Sequence, residues 1–198
     1  MIRDGQYQIE NRSEGDAPVL FRFEKPVAKG FPFKVELFCR SYDGLVADPD
    51  QHIVSVRMED AESLSAILLH DSYFGFLTEN CRESQGILAA DPTALIPLKA
   101  RAWLDLSTRK SKGEKVNERD VSKHRYDVFR LAALLPEDRT VKLPGELHED
   151  VVAFLEAHPA DHPEWEAIRN AVRPTFRGSI KPATLISAIR QYYQIASA

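Results

Sequence analysis

Apolar and polar positions alternate along several short segments in the first 90 residues of the chain. This period of two is typical of β-strands, and glycine, proline, asparagine and aspartate between the segments predict polar turns. Residues 63–69 are compatible with a strand or a helix, whereas 70–80 predict a short helix. The remaining alternating or apolar segments predict strands at 7–9, 19–23, 33–39, 53–57 and 84–89.

From residue 91 onwards the apolar positions repeat every three or four residues, which is the period of an α-helix. Two helices are predicted within Leu95–Leu135, on either side of a charged connector at 107–116. Pro97 is expected in the first turn of the first helix, because a proline deeper in a helix removes a backbone hydrogen bond. Asn117 is the expected N-cap of the second helix.

Three shorter amphipathic helices are predicted after Pro136. Their core-facing stripes are Leu147, Val151, Phe154 and Leu155; Trp165, Ile168 and Val172; and Leu185, Ile189 and Tyr192. The sequence therefore predicts an α+β fold, with a β-rich lobe at residues 1–90 and a helical lobe at residues 91–198.

Two charged residues interrupt the apolar faces of the first two helices. Lys99 falls in the middle of the face formed by Leu95, Ile96, Ala102, Trp103 and Leu106. Asp127 lies at the edge of the second face, beside Leu131. We expect Lys99 to be largely buried with its ammonium close to Asp127, and breaking such a pair costs about 3–5 kcal/mol.

A simpler interpretation of the same two residues stays open. The lysine methylenes can run along the core while the ammonium reaches water. Asp127 can then pair with Lys123 or Arg130 on a solvated helix, which is worth about 0.3–0.5 kcal/mol.

The composition is that of a globular protein, with 43% hydrophobic and 28% charged residues. No apolar run approaches the roughly 20 residues of a membrane span, and the N-terminus has no apolar segment of a secretion signal. We therefore expect a cytoplasmic protein with no membrane partner. Cys39 and Cys81 show neither zinc-site spacing nor a disulfide framework.

The net charge of −4 argues against a protein that coats nucleic acid. The charge is unevenly distributed, however. Ten Lys or Arg residues stand against five Asp or Glu residues between Lys99 and Arg130. This basic segment is suited to a polyanionic partner, and a solvated basic turn is the alternative.

Three segments resemble one family of enzymes. The phrases PLKARAWLDL and DVSKHRYDVFRLAALL, with FPFKVELF upstream, resemble the AbiEii-type nucleotidyltransferases. These are bacterial abortive-infection and type IV toxin–antitoxin proteins of the DNA polymerase β superfamily. The resemblance covers roughly residues 1–135. Its strongest signal is the order of a strand carboxylate, a helical K-x-R-A and a helical D-[VL]-x-x-L, which reads DVFRL at residues 127–131.

The resemblance implies transfer of a nucleotide from an NTP to an acceptor such as tRNA, with Mg²⁺ as cofactor. It further implies a partial nucleotidyltransferase-like mixed sheet followed by a C-terminal helical bundle. Glu36 matches a metal-binding carboxylate, and Lys99 and Asp127 match a catalytic lysine and its partner. Lys123 and Arg125 are the candidate phosphate-binding residues.

The chain departs from the family upstream of Glu36, where the Gly-Ser turn and the D-x-D metal ligands are not found. We therefore expect an inactive or truncated nucleotidyltransferase, in which the chain starts inside the fold. The alternatives are a non-catalytic RNA- or nucleotide-binding module and a protein-interaction module whose unfinished sheet pairs with another chain. An antitoxin is a further partner that the resemblance implies. An incomplete sheet would leave a strand edge and apolar side chains uncovered, so a homodimer or an obligate partner that contacts residues 1–40 is expected. The competing outcome is that the loop Lys25–Phe33 folds over the edge and keeps the chain monomeric. The side chains expected to be exposed are Phe21, Phe23, Val35 and Leu37.

Overall fold

The computed structural model describes residues 2–10, 19–40, 53–58, 61–84, 86–175 and 181–196. It contains both helices and β-strands, as the α+β prediction requires. The chain forms two compact units, Met1–Phe74 and Gly75–Ala198. No helix in the described ranges combines the length and the apolar character that a membrane crossing needs.

The first unit is built from short strands in two sheets. One sheet has the order β1-β2-β3 with antiparallel pairs, and the other has the order β4-β6-β5, in which β4 and β6 are parallel. The elements are α1 (Ile2–Gly5), β1 (Gln8–Glu10), β2 (Val19–Glu24), β3 (Lys34–Glu36), β4 (Phe38–Arg40), β5 (Ile53–Met58), β6 (Ala61–Leu69) and α2 (Asp71–Glu79), which continues into the second unit.

The predicted strand at 33–39 is two strands. Leu37 separates β3 from β4, and the two halves pair in different sheets. Residues 63–69, which left strand and helix open, lie in β6. Both outcomes depend on pairing partners distant in sequence, which a local period of two does not specify.

The apolar face expected to be uncovered is only partly so. Phe23 is buried, which contradicts its expected exposure, and Val35 and Leu37 are half-buried. The side chain of Phe21 lies outside the described part. Large exposed apolar side chains do occur in this unit, but they are Val27, Phe33 and Phe38.

The loop between β2 and β3 folds back on the start of the chain. Val27 N–H donates to the Gly5 carbonyl at 3.0 Å, and the Tyr7 hydroxyl donates to the Pro32 carbonyl at 2.6 Å. Gly5 is required at this approach, because a Cβ there would lie 2.4 Å from the Tyr7 ring.

The second unit begins with a hairpin and continues with helices. The segment predicted as one strand at 84–89 belongs to two antiparallel strands, and Gly86, with φ +77°, lies in their turn. α3 packs against α4 and α5, and α4 also contacts α6 and α7. The elements are β7 (Cys81–Ser84), β8 (Ile87–Ala90), α3 (Pro92–Ser111), α4 (Glu118–Ala132), α5 (Gly145–Glu156), α6 (Trp165–Val172), a 3₁₀ turn (Arg173–Thr175) and α7 (Pro182–Tyr192).

The core-facing stripes predicted for α5, α6 and α7 are confirmed. Every one of their ten residues is buried. The N-cap role of Asn117 is also confirmed, because its side chain accepts a hydrogen bond from Arg119 N–H at 3.0 Å. The connector is shorter than expected, since α3 continues to Ser111.

Pro97 lies inside α3, so its predicted place in the first turn is wrong. A proline at this position cannot donate to the carbonyl of Thr93, its partner in a regular helix. The Tyr193 hydroxyl donates to that carbonyl at 2.8 Å instead, and the Tyr192 hydroxyl lies 2.7 Å from the Thr93 hydroxyl. The proline is thus tolerated because Tyr193, the residue just beyond the end of α7, supplies the missing donor.

Candidate functional site

Charged side chains from α3 and α4 meet in the groove between the two helices. Lys99 Nζ lies 3.6 Å from Asp127 Oδ2, with side chains 29% and 18% exposed. The predicted approach of Lys99 to Asp127 is therefore confirmed. The two residues line a surface pocket of about 270 Å³ together with Leu95, Arg130, Leu131 and Leu134.

Asp127 has a second and closer partner, Arg130. Arg130 Nη1 donates to Asp127 Oδ1 at 2.7 Å, whereas the distance to Lys99 is too long for a hydrogen bond. Arg130 Nε also donates to the Ala171 carbonyl in α6 at 3.1 Å. The ion pair within α4 that the simpler interpretation predicted, Asp127 with Arg130, is therefore present together with the pair between Lys99 and Asp127. Lys99 is the less constrained of the two cations.

His124 lies on α4, one turn before Asp127. Its Nδ1 is buried and has no hydrogen-bond partner among the described residues. Burial lowers the pKa of His124 to about 4, and the positive charges of Lys99 and Lys123 contribute to the same shift. The imidazole is therefore neutral near pH 7, beside a groove that already carries two cations.

A second surface pocket, of about 390 Å³, lies along the exposed side of α4. It shares Arg130 with the α3–α4 groove. Arg119 and Lys123 form no ion pair with any described residue, whereas Glu118 is paired with Lys110 at 2.6 Å. The pocket is lined by Glu118, Arg119, Ser122, Lys123, Tyr126 and Arg130.

Lys123 and Arg125, the two predicted phosphate-binding residues, differ in environment. Lys123 is exposed, whereas Arg125 is only 7% exposed, pairs with Glu164 and lies over the Tyr126 ring at 5.4 Å. A phosphate would have to compete with Glu164 for the Arg125 guanidinium. The phosphate-binding role of Arg125 stays a prediction, and its surroundings favour Lys123.

Glu36, the predicted metal ligand, belongs to the first unit and lies half-buried in β3. The antiparallel register places Arg22 of β2 directly opposite it. Across the described ranges, no group of three or more His, Cys, Asp or Glu residues is arranged to hold a metal ion. Mg²⁺ prefers several oxygen ligands, so the described residues alone do not make up such a site.

A second histidine, His158, is fully buried in an aromatic cluster. Its Nδ1 lies 2.8 Å from the Phe154 carbonyl, and its ring centroid lies 4.5 Å from that of Trp103. Burial lowers the pKa of His158 to about 4. The Phe154 carbonyl needs a donor, so Nδ1 carries the proton in the neutral ring and His158 is part of the core.

Sequence reasoning named Arg130 only in the simpler interpretation and did not name His124, Arg119 or Tyr126 as site residues. The sequence did contain a pattern that indicates a shared face on the exposed side of α4. Positions 119, 123, 126 and 130 recur every three or four residues, so they share one helix face. His124 gave no such signal, because its position relative to Lys99 depends on how α3 and α4 pack.

Known protein families, curated protein sequences and solved structures were all compared with the chain, and none of them matches it.

Proposed function

We propose that this chain is a nucleotidyltransferase-like protein that binds the phosphate groups of nucleotides or RNA in the α3–α4 groove. The proposal includes the finer fold expectation of a partial nucleotidyltransferase-like sheet followed by a C-terminal helical bundle. One observation carries it: Lys99, Asp127 and Arg130 meet in a groove that is otherwise lined by leucines.

The trio has the charge balance that an anion-binding site needs. Two cations flank one carboxylate, so an incoming phosphate finds a net positive charge. Asp127 and the Ala171 carbonyl hold Arg130 in one orientation, from which its guanidinium can offer remaining N–H groups to phosphate oxygens.

Lys99 suits the role of a mobile phosphate contact. Its contact with Asp127 is long, and its side chain is partly exposed. Its ammonium can therefore turn towards a phosphate without giving up a close hydrogen bond. Lys123 and Arg119, on the exposed side of the same helix as Asp127, extend the positive surface for a longer phosphate chain.

Binding is proposed without nucleotide transfer by this chain alone. In the family that the sequence resembles, Mg²⁺ stabilises the charge that develops on the transferred phosphate. Glu36 provides one carboxylate for such an ion, and Mg²⁺ positioning requires further ligands. The Lys99–Asp127 pair retains the ability to bind and orient a phosphate.

The binding proposal can be tested with fluorescently labelled single-stranded RNA. We expect weak, salt-sensitive binding, because phosphate contacts release condensed counterions. Lys99→Met should weaken binding and lower the slope of log affinity against log salt by about 0.7 for each phosphate that is no longer neutralised. Lys142→Met, an equal change of charge at an exposed position outside the groove, is the matched control. Equal effects of the two substitutions would contradict the proposal.

The absence of transfer is tested separately. The protein is incubated with Mg²⁺, each labelled NTP and total tRNA, and no label should enter the RNA. Specific labelling that disappears in Glu36→Ala but persists in Glu83→Ala, an exposed carboxylate in β7, would show that the chain is an active enzyme.

A second candidate function is protein interaction through the first unit. Val27 and Phe33 are each 67% exposed and Phe38 is 49% exposed. A second copy of the chain or an antitoxin would cover them. This candidate is compatible with phosphate binding by the second unit.

A further inference from the structure

Tyr126 brings an aromatic ring into the pocket on the exposed side of α4. The side chain is half-buried, and the Arg125 guanidinium lies over the ring, 5.4 Å from its centroid. Arg125 is itself buried and pairs with Glu164 of the C-terminal helices. The ring is therefore supported by a group that is held in place, and its uncovered surface borders the pocket.

The same pocket carries cations that have no partner to neutralise them. Arg119 and Lys123 are both exposed, and neither is paired with an acidic group in the described part of the chain. Glu118, which also lines the pocket, is already paired with Lys110 at 2.6 Å. Arg119 and Lys123 lie about 6 Å apart along the helix axis, and Tyr126 follows about 4–5 Å further on. A row of two cations and an aromatic ring thus runs along one face of α4.

We infer that the exposed side of α4 binds single-stranded RNA, with one base stacked on Tyr126 and phosphates paired with Arg119 and Lys123. The inference rests on the proposed function and adds a base-binding position to it. Basic grooves that bind single strands use aromatic rings in this way, because every base has a face that can stack. A duplex keeps its bases stacked on one another and has no free face for Tyr126.

Arg130 connects this surface to the α3–α4 groove, because it lines both pockets. Arg119 and Arg130 are separated by about 16–17 Å along the helix axis. Such a span matches a short oligonucleotide better than a single phosphate group. A strand with a base on Tyr126 can therefore place one phosphate at Arg130 and continue towards Lys99 in the groove.

The experiment compares a short oligouridylate with inorganic polyphosphate, which carries a row of phosphates and no bases. Tyr126→Leu should weaken binding of the oligouridylate by about five-fold or more, the lower end of the range for losing one base–aromatic stack. It should leave the affinity for polyphosphate unchanged, whereas Lys123→Met should weaken binding of both probes. Phe74→Leu is the matched control and should behave like wild type. Phe74 is a half-buried ring outside the pocket that also lies beneath an arginine, Arg40, at 6.0 Å.

The possible results distinguish the inference from the proposed function. If wild-type protein does not bind the oligouridylate, the proposed function is overturned together with the inference. If it binds, and Tyr126→Leu leaves this affinity unchanged or weakens both probes equally, the inference is overturned and the proposed function stands. If Tyr126→Leu does not fold, NMR of wild-type protein replaces it. We then expect nuclear Overhauser contacts between the Tyr126 ring and the uracil ring protons, and their absence overturns the inference.

Discussion

Replacing Tyr193 by phenylalanine should lower the free energy of unfolding of the second unit by about 1–3 kcal/mol. The substitution removes only the hydroxyl oxygen of Tyr193 and keeps its aromatic ring, which is buried. It also leaves the Thr93 carbonyl without the hydroxyl donor that stands in for the N–H that Pro97 lacks. A buried acceptor without a partner costs its full desolvation, which exceeds the net gain of about 0.5–1.5 kcal/mol from an ordinary hydrogen bond.

A double-mutant cycle with Pro97→Ala tests this reasoning. Alanine restores an N–H that can donate to the Thr93 carbonyl within the helix. Tyr193→Phe should then cost about 1 kcal/mol less in the Pro97→Ala background than in wild type. Equal costs in the two backgrounds, within about 0.3–0.5 kcal/mol, would refute the link between the proline and the tyrosine.

The assay can be confined to the second unit, because both tryptophans of the chain, Trp103 and Trp165, lie in it. Their fluorescence during urea unfolding therefore reports this unit. Tyr7→Phe is the matched control. It removes a hydroxyl that donates to a backbone carbonyl in the first unit, and it should not shift this transition.

Three further predictions concern pH, the charged trio and assembly. Burial lowers the pKa of His158 from 6.5 to about 4, so the unfolded chain takes up a proton on this residue before the folded chain does. The free energy of unfolding should therefore be at its full value above pH 6.5 and fall by about 3 kcal/mol towards pH 4. If the free energy of unfolding of wild-type protein falls no further than that of His158→Phe, the prediction is wrong. Lys99→Met should lower the free energy of unfolding in urea by less than about 1 kcal/mol, because Arg130 still pairs with Asp127. This is well below the cost of about 3–5 kcal/mol that the sequence predicts for a broken buried pair. An equal cost for Arg130→Met would show that Arg130 is not the main partner of Asp127. Light scattering at micromolar concentration should detect a homodimer formed through residues 1–40, and a stable monomer with protected amides across 7–39 would exclude it.

The parts of the fold that the sequence predicts well are those set by local periodicity. The stripes of α5, α6 and α7 follow from the positions of their apolar residues, and the Lys99–Asp127 approach follows from two charges on facing apolar stripes. Such patterns need no information from elsewhere in the chain.

The errors arise where a distant residue decides the outcome. Pro97 lies deep in its helix because Tyr193 supplies a donor. The strand at 33–39 is divided because β2 and β6 pair with its two halves. In each case the local pattern was compatible with more than one structure, and a tertiary contact selected between them.

The contact between Tyr193 and Thr93 also has a consequence for biosynthesis. The two residues are 100 positions apart in sequence. At a translation rate of about 5–20 residues per second, the first turn of α3 waits roughly 5–20 s for its hydroxyl donor to be made. During this interval the Thr93 carbonyl must accept its hydrogen bond from water, so it cannot yet be buried among apolar side chains. The β7–β8 hairpin needs only neighbouring residues and can form at once, whereas α3 is completed among the last elements of the second unit.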